Sequence, residues 1–470
     1  MSILLNRKSI EQSAEIITKS LQDNDPAKFT KGSILKHVII MSLTSSLGLM
    51  AIFIVDLLDM FFLSLLGEIE LASAVGYAGT ISFFTTSIGI GISIAMGALI
   101  SRSIGEGKKK LANCYLINIY LIALIITIPI AVIVWFYIPD LLIIIGAKGR
   151  TLELATQYLK VLIPSFPILV LGIASGAALR AFGDAKFSMY STLAGGLVNA
   201  ILDPIFIFLL AMNVEGAAVA SIFSRITILL VAFLALVIKY RIALTFYWKG
   251  FKDSLYPIIK IAFPGILTNI TTPIGTAYTI SEMSKFGDSA VAGMSVIGRL
   301  SPVAFAIVFA VSGAIGSIVG QNLGAKNINR VKETLTSSFW FICIIVIIVS
   351  IILISINNYL VYIFQLDNEA AQLLYIFSHF IAISYISVGA GFIANAAFNN
   401  LGKSSYALIV NILKATIFTI PFVYFGGQSY GAEGILIGQS IGSLIIGLGA
   451  YIFAYKYIYR LKNLSISNYL

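Results

Sequence analysis

Apolar residues fill this chain in runs of about 20, separated by short polar punctuation, and the pattern recurs twelve times. The runs centre near residues 48, 85, 125, 168, 199, 227, 268, 304, 343, 382, 415 and 443. A run of that length crosses a bilayer as one α-helix, so the pattern predicts an all-α integral membrane protein with twelve transmembrane helices. The first run follows a charged stretch of roughly 30 residues, which does not read as a cleavable signal peptide. Within that stretch, Ile10, Ala14, Ile17 and Leu21 recur at helical spacing over residues 9–24. They suit an interfacial helix or a loosely ordered tail.

The polar punctuation alternates in sign. Basic clusters occupy every second loop: Arg102 with Lys108, Lys109 and Lys110; Arg180 with Lys186; Lys239, Arg241, Lys249 and Lys252; Lys326, Arg330 and Lys332; and Lys403. Both tails are basic as well. The intervening loops hold Glu68, Glu70, Glu215, Asp367 and Glu433, with Lys148, Arg150 and Lys285 as their few bases. By the positive-inside rule both termini are cytoplasmic and the span count is even. The net charge of +10 is then a topology signal and no argument for a nucleic-acid partner. Membrane lipids are the expected surroundings of the basic loops.

Composition agrees. The chain of 470 residues is 59% hydrophobic and 11% charged, with a mean hydropathy of +0.97, against about 25% charged residues in soluble domains. Cys114 and Cys343 lie in apolar runs of different halves, without metal-ligand spacing, and His37 and His379 are isolated. There is no Ser/His/Asp grouping, phosphate loop or HExxH motif, so the sequence does not read as an enzyme and no cofactor is expected.

The chain repeats itself. Residues 101–108 (SRSIGEGK) echo residues 320–327 (GQNLGAKN), and residues 179–184 (LRAFGD) echo residues 398–403 (FNNLGK), both about 219 residues apart. Two six-helix halves follow, and because six is even they share one orientation. The expected division is a cytoplasmic tail over 1–33, an N-lobe over 34–240, a cytoplasmic inter-lobe loop over 241–253, a C-lobe over 254–457 and a cytoplasmic tail over 458–470. Transporters built from such repeats hold substrate between the lobes and rock one against the other. The 39 glycines suit close helix approach. Pro164, Pro167, Pro204, Pro264, Pro273, Pro302 and Pro421 would kink their helices.

Two acids stand inside apolar runs: Asp59 and Asp203. A carboxylate at membrane depth costs about 2.5–3.5 kcal/mol on insertion scales, so it is a functional candidate. Asn199 precedes Asp203 by four residues and shares its helix face. An intramembrane acid suits the holding and exchange of a proton or a metal cation. Capping a helix end or solvating a crevice is the plainer alternative.

Together the Gly-rich second run with its GQNLGAKN echo, LRAFGDAK, VNAILDPIFIF and the segment from Asp59 to Gly67 resemble the multidrug and toxic compound extrusion (MATE) transporters. The likeness extends from about Ile34 to the last run. It implies two pseudo-symmetric six-helix lobes in a V and cation-driven export. It carries a cation-coupling set onto Asp59, Asn199, Asp203, Tyr158 and Ser221, the last in Gly216-Ala-Ala-Val-Ala-Ser221. The chain departs from the family in two places. Asp56 adds an acid one turn before Asp59 and joins the coupling set as a candidate, and Met41 stands where the first helix usually carries proline.

An oxygen-rich set with one or two negative charges suits H⁺ or Na⁺, with Na⁺ at Asp59, Asn199 and Asp203. Two carboxylates close together in low dielectric cannot both ionise cheaply, so the pair would titrate as a unit. The C-lobe does not copy this set: aligning Pro204 with Pro421 puts Thr416 and Ile420 at the Asn199 and Asp203 positions. Glu282, Gln321 and Lys414 are its substrate-cavity candidates. The expected function is secondary active efflux of amphipathic, cationic organic compounds in exchange for H⁺ or Na⁺ by alternating access. A flippase or exporter of a lipid-linked or metabolite substrate is the alternative. The expected setting is the bacterial inner membrane and the expected state a monomer.

Overall fold

The computed structural model describes residues 27–64, 66, 69–242 and 248–467. The amphipathic stretch at 9–24 lies outside them. Among the described residues there are helices and no strands.

Among the described residues eleven helical stretches are long and apolar enough to cross a membrane. The first seven spans are Ile34–Asp59, Ser73–Gly105, Lys109–Phe136, Gly149–Ala181, Ala185–Leu209, Asn213–Lys239 and Gly250–Phe286. The eighth is Asp288–Ala304 followed, after a break at Phe305, by Ala306–Gly324. The ninth and tenth are Ile328–Ile363 and Glu369–Asn400. The last stretch, Ser404–Leu461, is two spans, because the backbone leaves helical geometry at Tyr430 and Gly431. Counting that stretch twice gives the twelve spans that the apolar pattern predicts.

Proline sets several of the breaks, since it lacks the N–H that the helix needs. The fourth span tightens into a 3₁₀ turn at Ile163–Ser165 around Pro164, and the fifth widens into a π turn at Ile205–Leu209 after Pro204. Pro302 precedes the Phe305 break. Pro264 and Pro273 instead sit within the continuous helix Trp248–Met283. With Met41 in place of proline, the first helix runs unbroken from Ile34 to Ser64.

The echoed motifs close matching turns. Gly183 and Gly402 both take a left-handed φ (+84° and +69°), which a residue without Cβ adopts freely. Each donates its N–H three residues back, to the carbonyls of Arg180 and Asn399, and the next N–H reaches Leu179 and Phe398. This is one helix-ending turn made twice.

The apolar side chains form two cores, one in each half. The halves exchange ends. Ile34, Val38 and Met41 of the first span pack into the second core, and Ile258, Ile261 and Ala262 of the seventh pack into the first. Glycines let the lobes interlock from mid-depth to the end that carries both termini. A Cβ on Gly91 would lie 2.5 Å from the backbone N of Ile266. At the terminus end, a Cβ on Gly105 would lie 2.0 Å from the Gln321 carbonyl oxygen, and one on Gly324 2.1 Å from the Arg102 carbonyl oxygen. These two contacts are the same contact related by the 219-residue repeat.

The segment Ala27–Gly32 seats over this seam. Lys28 Nζ donates to the Gly183 carbonyl (2.6 Å), and the Phe29 N–H donates to Gln321 Oε1 (2.9 Å). Arg330 donates to the carbonyls of Phe29, Lys31 and Gly32 at 2.9–3.2 Å.

Candidate functional site

The site lies in the first half, toward the ends of the first and fifth spans that point away from the termini. Asn199 and Asp203 are one turn apart on the fifth span and are 1% and 0% exposed. They face the first span, where Asp59 completes the set. Asn199 Nδ2 donates to Asp59 Oδ1 at 2.7 Å and to Asp203 Oδ2 at 2.8 Å. One amide therefore joins two carboxyl groups from different helices.

The carboxyls of Asp59 and Asp203 are also within hydrogen-bonding reach of each other. Two carboxylates cannot meet in a dry site unless a proton or a cation lies between them. Among the described residues no donor reaches the buried Asp203 Oδ1. An orphaned carboxylate oxygen of this kind is a ready acceptor for a proton or for a small hard cation.

Local sequence explains the geometry. Pro204 cannot donate to the Ala200 carbonyl, and the wide turn that follows ends the fifth span. Gly216 of the sixth span abuts that turn, where a Cβ would lie 2.7 Å from the Phe206 carbonyl carbon. The buried Ala217 and Ala218 follow it, and this close packing brings Ser221 inward. Ser221 lies within hydrogen-bonding reach of the buried Tyr158 of the fourth span, and Tyr158 in turn feels the charges of Asp59, Asp56 and Arg225. Asp59, Asn199, Asp203, Tyr158 and Ser221 are thus gathered in one place from four helices.

Asp56 is placed differently from the other five. It is exposed on the first span. Among the described residues no three His, Cys, Asp or Glu side chains cluster as metal ligands do. Asp56 thus stands outside the hydrogen-bonded pair, although its charge still acts on Asp59 and Tyr158. Its electrostatic counterpart is Arg225 of the sixth span, and Arg225 donates to Ser165 Oγ at 2.7 Å and to the Leu162 carbonyl at 3.3 Å. Arg225 is a residue that the sequence reading left without a role. Its signal was the spacing of four from Ser221, which puts both on one face.

The C-lobe candidates scatter. Gln321 is fully buried at the seam, where its Nε2 donates to the Ala181 carbonyl (2.8 Å) and its Oε1 accepts from Phe29. That bracing role replaces the expected place in a substrate cavity, because the close Gly105 contact leaves no open space beside it. Glu282 pairs with Lys285 at 2.7 Å, three residues on, at the rim of the seventh span away from the termini. Lys414 lines a crevice between the tenth, eleventh and twelfth spans.

The MatE family model matches residues 44–205 and again 264–425, so it finds the two halves as two copies. The chain belongs to the MatE family of membrane transport proteins, which are transporters and not enzymes. It is 28% identical over 423 residues to a Shewanella oneidensis protein named FAD transporter, a match covering 88% of this chain and 93% of the relative. It is 25% identical over 451 residues to the multidrug export protein MepA of Staphylococcus aureus, covering 93% and 96%. Among solved structures, the Vibrio cholerae MATE transporter VcmN superposes with a TM-score of 0.86 at 25% identity over 92% of this chain and 98% of that one. A multidrug resistance MATE transporter in its outward-facing conformation gives 0.87 at 22% identity, covering 94% and 99%.

Proposed function

We propose that this protein is a secondary efflux transporter of the inner membrane that exports amphipathic organic compounds in exchange for H⁺ or Na⁺. The observation that carries the reading is Asn199 bridging Asp59 and Asp203, with one buried oxygen of Asp203 reached by no donor among the described residues. With both termini cytoplasmic, the glycine seam and the Ala27–Gly32 segment close the cytoplasmic side, and the acid pair lies toward the outside. A cation arriving from outside neutralises the pair. As a proton it occupies the link between the two carboxyls. As Na⁺ it takes carboxylate oxygens, and Asn199 must then turn its amide to present Oδ1 in place of Nδ2. Either change rearranges the contact between the first and fifth spans. Export is coupled because cation and substrate favour different states of that contact.

The multidrug export relative supports xenobiotic substrates, and the FAD transporter relative supports a metabolite as the second reading. The test is efflux of ethidium from proteoliposomes under an imposed H⁺ or Na⁺ gradient. Asp203→Asn is expected to abolish gradient-driven efflux, and normal efflux by that variant defeats the proposal.

A further inference from the structure

Lys414 is an intramembrane charge that the acid pair leaves unexplained. It lies ten residues into the helix that begins at Ser404, about 15 Å along the helix axis, which is near the midplane of a core about 30 Å thick. That is too deep for its side chain to reach either interface. The three spans around it offer no acid near its depth, since residues 370–432 and 434–461 contain neither Asp nor Glu, Glu282 of the seventh span pairs with Lys285, and among the described residues no ion pair or hydrogen bond engages the Lys414 ammonium. A charge that stays unpaired at this depth is costly to a fold unless a ligand pairs with it.

The crevice around it has the chemistry of an anion cradle. Lys414, Asn395 and Ser443 line it from three helices, beside Ser387, Asn411 and Phe392. Asn395 is 8% exposed, and among the described residues its buried Oδ1 has no partner; turning the amide about its Cγ presents Nδ2, the donor an anion needs, at no cost in lost bonds. By contrast, Ser387 and Asn411 spend their donors on the backbone carbonyls of Ser384 and Ala407. The space measures about 20 Å³, room for one water-sized group. One oxygen of an anionic group or a halide fits, and the single charge of Lys414 matches a carboxylate better than the one and a half to two charges, roughly, of a phosphate. The crevice also lies between the tenth, eleventh and twelfth spans, which match by order the fourth, fifth and sixth spans of the acid site.

We propose that the Lys414 crevice is an anion subsite that receives the carboxylate of an exported compound, with Lys414 supplying the charge and Asn395 and Ser443 the hydrogen bonds. The two lobes then carry opposite polarity: acids for the coupling cation in the first, a lysine for the substrate's carboxylate in the second. The substrate class becomes amphipathic compounds that bear a carboxylate, anionic or zwitterionic. The inference rests on the export reading only for what the carboxylate belongs to. Anion binding itself does not depend on coupling.

The experiment is equilibrium binding of radiolabelled benzoate to the purified full-length protein in detergent, with chloride and benzyl alcohol as competitors. Wild type is expected to bind benzoate saturably and to ignore benzyl alcohol. Lys414→Met is expected to lose at least ten-fold in affinity, while Lys414→Arg keeps most of it. Binding is read at equilibrium with no ion gradient, so a failure of gradient-driven efflux in the coupling test leaves this result readable on its own. The proposal is overturned if monodisperse wild type shows no saturable binding, or if Lys414→Met binds equally well. Lys414-dependent chloride binding that benzoate cannot displace overturns the carboxylate assignment and identifies a halide site.

Discussion

A single methyl group at the lobe seam should change which face of the protein is open. In Gly324→Ala the new Cβ would lie 2.1 Å from the Arg102 carbonyl oxygen, and in Gly105→Ala 2.0 Å from that of Gln321. Ordinary contact begins at 3.4 Å, so the helices must part by 3.4 − 2.0 = 1.4 Å in the second case. The obstacle is backbone in both, so no rotamer change relieves it. Overpacking of this kind costs about 1–3 kcal/mol, and at 1.4 kcal/mol per decade that is about 5- to 140-fold in the closed-to-open ratio. The cost falls only on the state in which the second and eighth spans touch. Spin labels on cysteines at Lys109 and Lys326, in a background without Cys114 and Cys343, read that ratio as a distance distribution by pulsed electron resonance. Both variants should gain the longer distance, and to a similar degree, because the contacts are related by the repeat. Distributions identical to wild type in both variants would refute the reasoning.

Three further outcomes are expected. Asn199→Ala removes two hydrogen bonds to carboxyl groups, each worth about 1.5–3 kcal/mol where the carboxyl is charged; gradient-driven ethidium efflux should fall at least ten-fold, with the thermal midpoint in detergent shifting far less. Arg330→Ala frees the carbonyls of Phe29, Lys31 and Gly32, and trypsin should then cleave near Lys28 or Lys31 faster than in wild type. Asp184, in the loop before the fifth span, is pushed up by burial, but hydrogen bonds from Lys239, Tyr240 and the Phe187 N–H outweigh that and hold its carboxyl below the ordinary 3.8. Its stabilisation is therefore complete above pH 3.8 and drains away as pH falls below that toward the depressed value. Thermal melts should show wild type losing its advantage over Asp184→Asn in that acidic window; with Lys239 half exposed, the advantage at neutral pH should be about 1 kcal/mol.

The spans were legible because a bilayer leaves a strong apolar signature, and the doubling was legible because two turn motifs recur at one spacing. What those motifs do was not. The 39 glycines suit close helix approach in general, but that Gly105 and Gly324 are the ones that let two helix backbones touch across the lobes depends on how the lobes meet. Gln321 illustrates the same limit. An amide near the end of a Gly-rich helix reads equally well as a cavity or a packing residue, and only the rotation of the eighth span, set by its contact with the second, turns it onto Phe29 and Ala181. Asp59, Asn199 and Asp203 were legible because acids at depth are rare and because a spacing of four places two side chains on one face. Asp56 stands apart from the hydrogen-bonded set for a related reason. A spacing of three puts it near Asp59, but it sits farther round the helix, and that offset leaves it exposed and opposite Arg225.

The most direct measurement is cation binding by the purified protein, wild type beside Asp203→Asn, read as radiolabelled Na⁺ bound at pH 7.5 and as protons taken up on a step to pH 5.5. A coupling site at the acid pair predicts that wild type binds one of the two cations saturably and that Asp203→Asn loses that binding. Equal binding of both cations by the folded variant and the wild type would place the coupling ion elsewhere and contradict the role assigned to Asp59, Asn199 and Asp203.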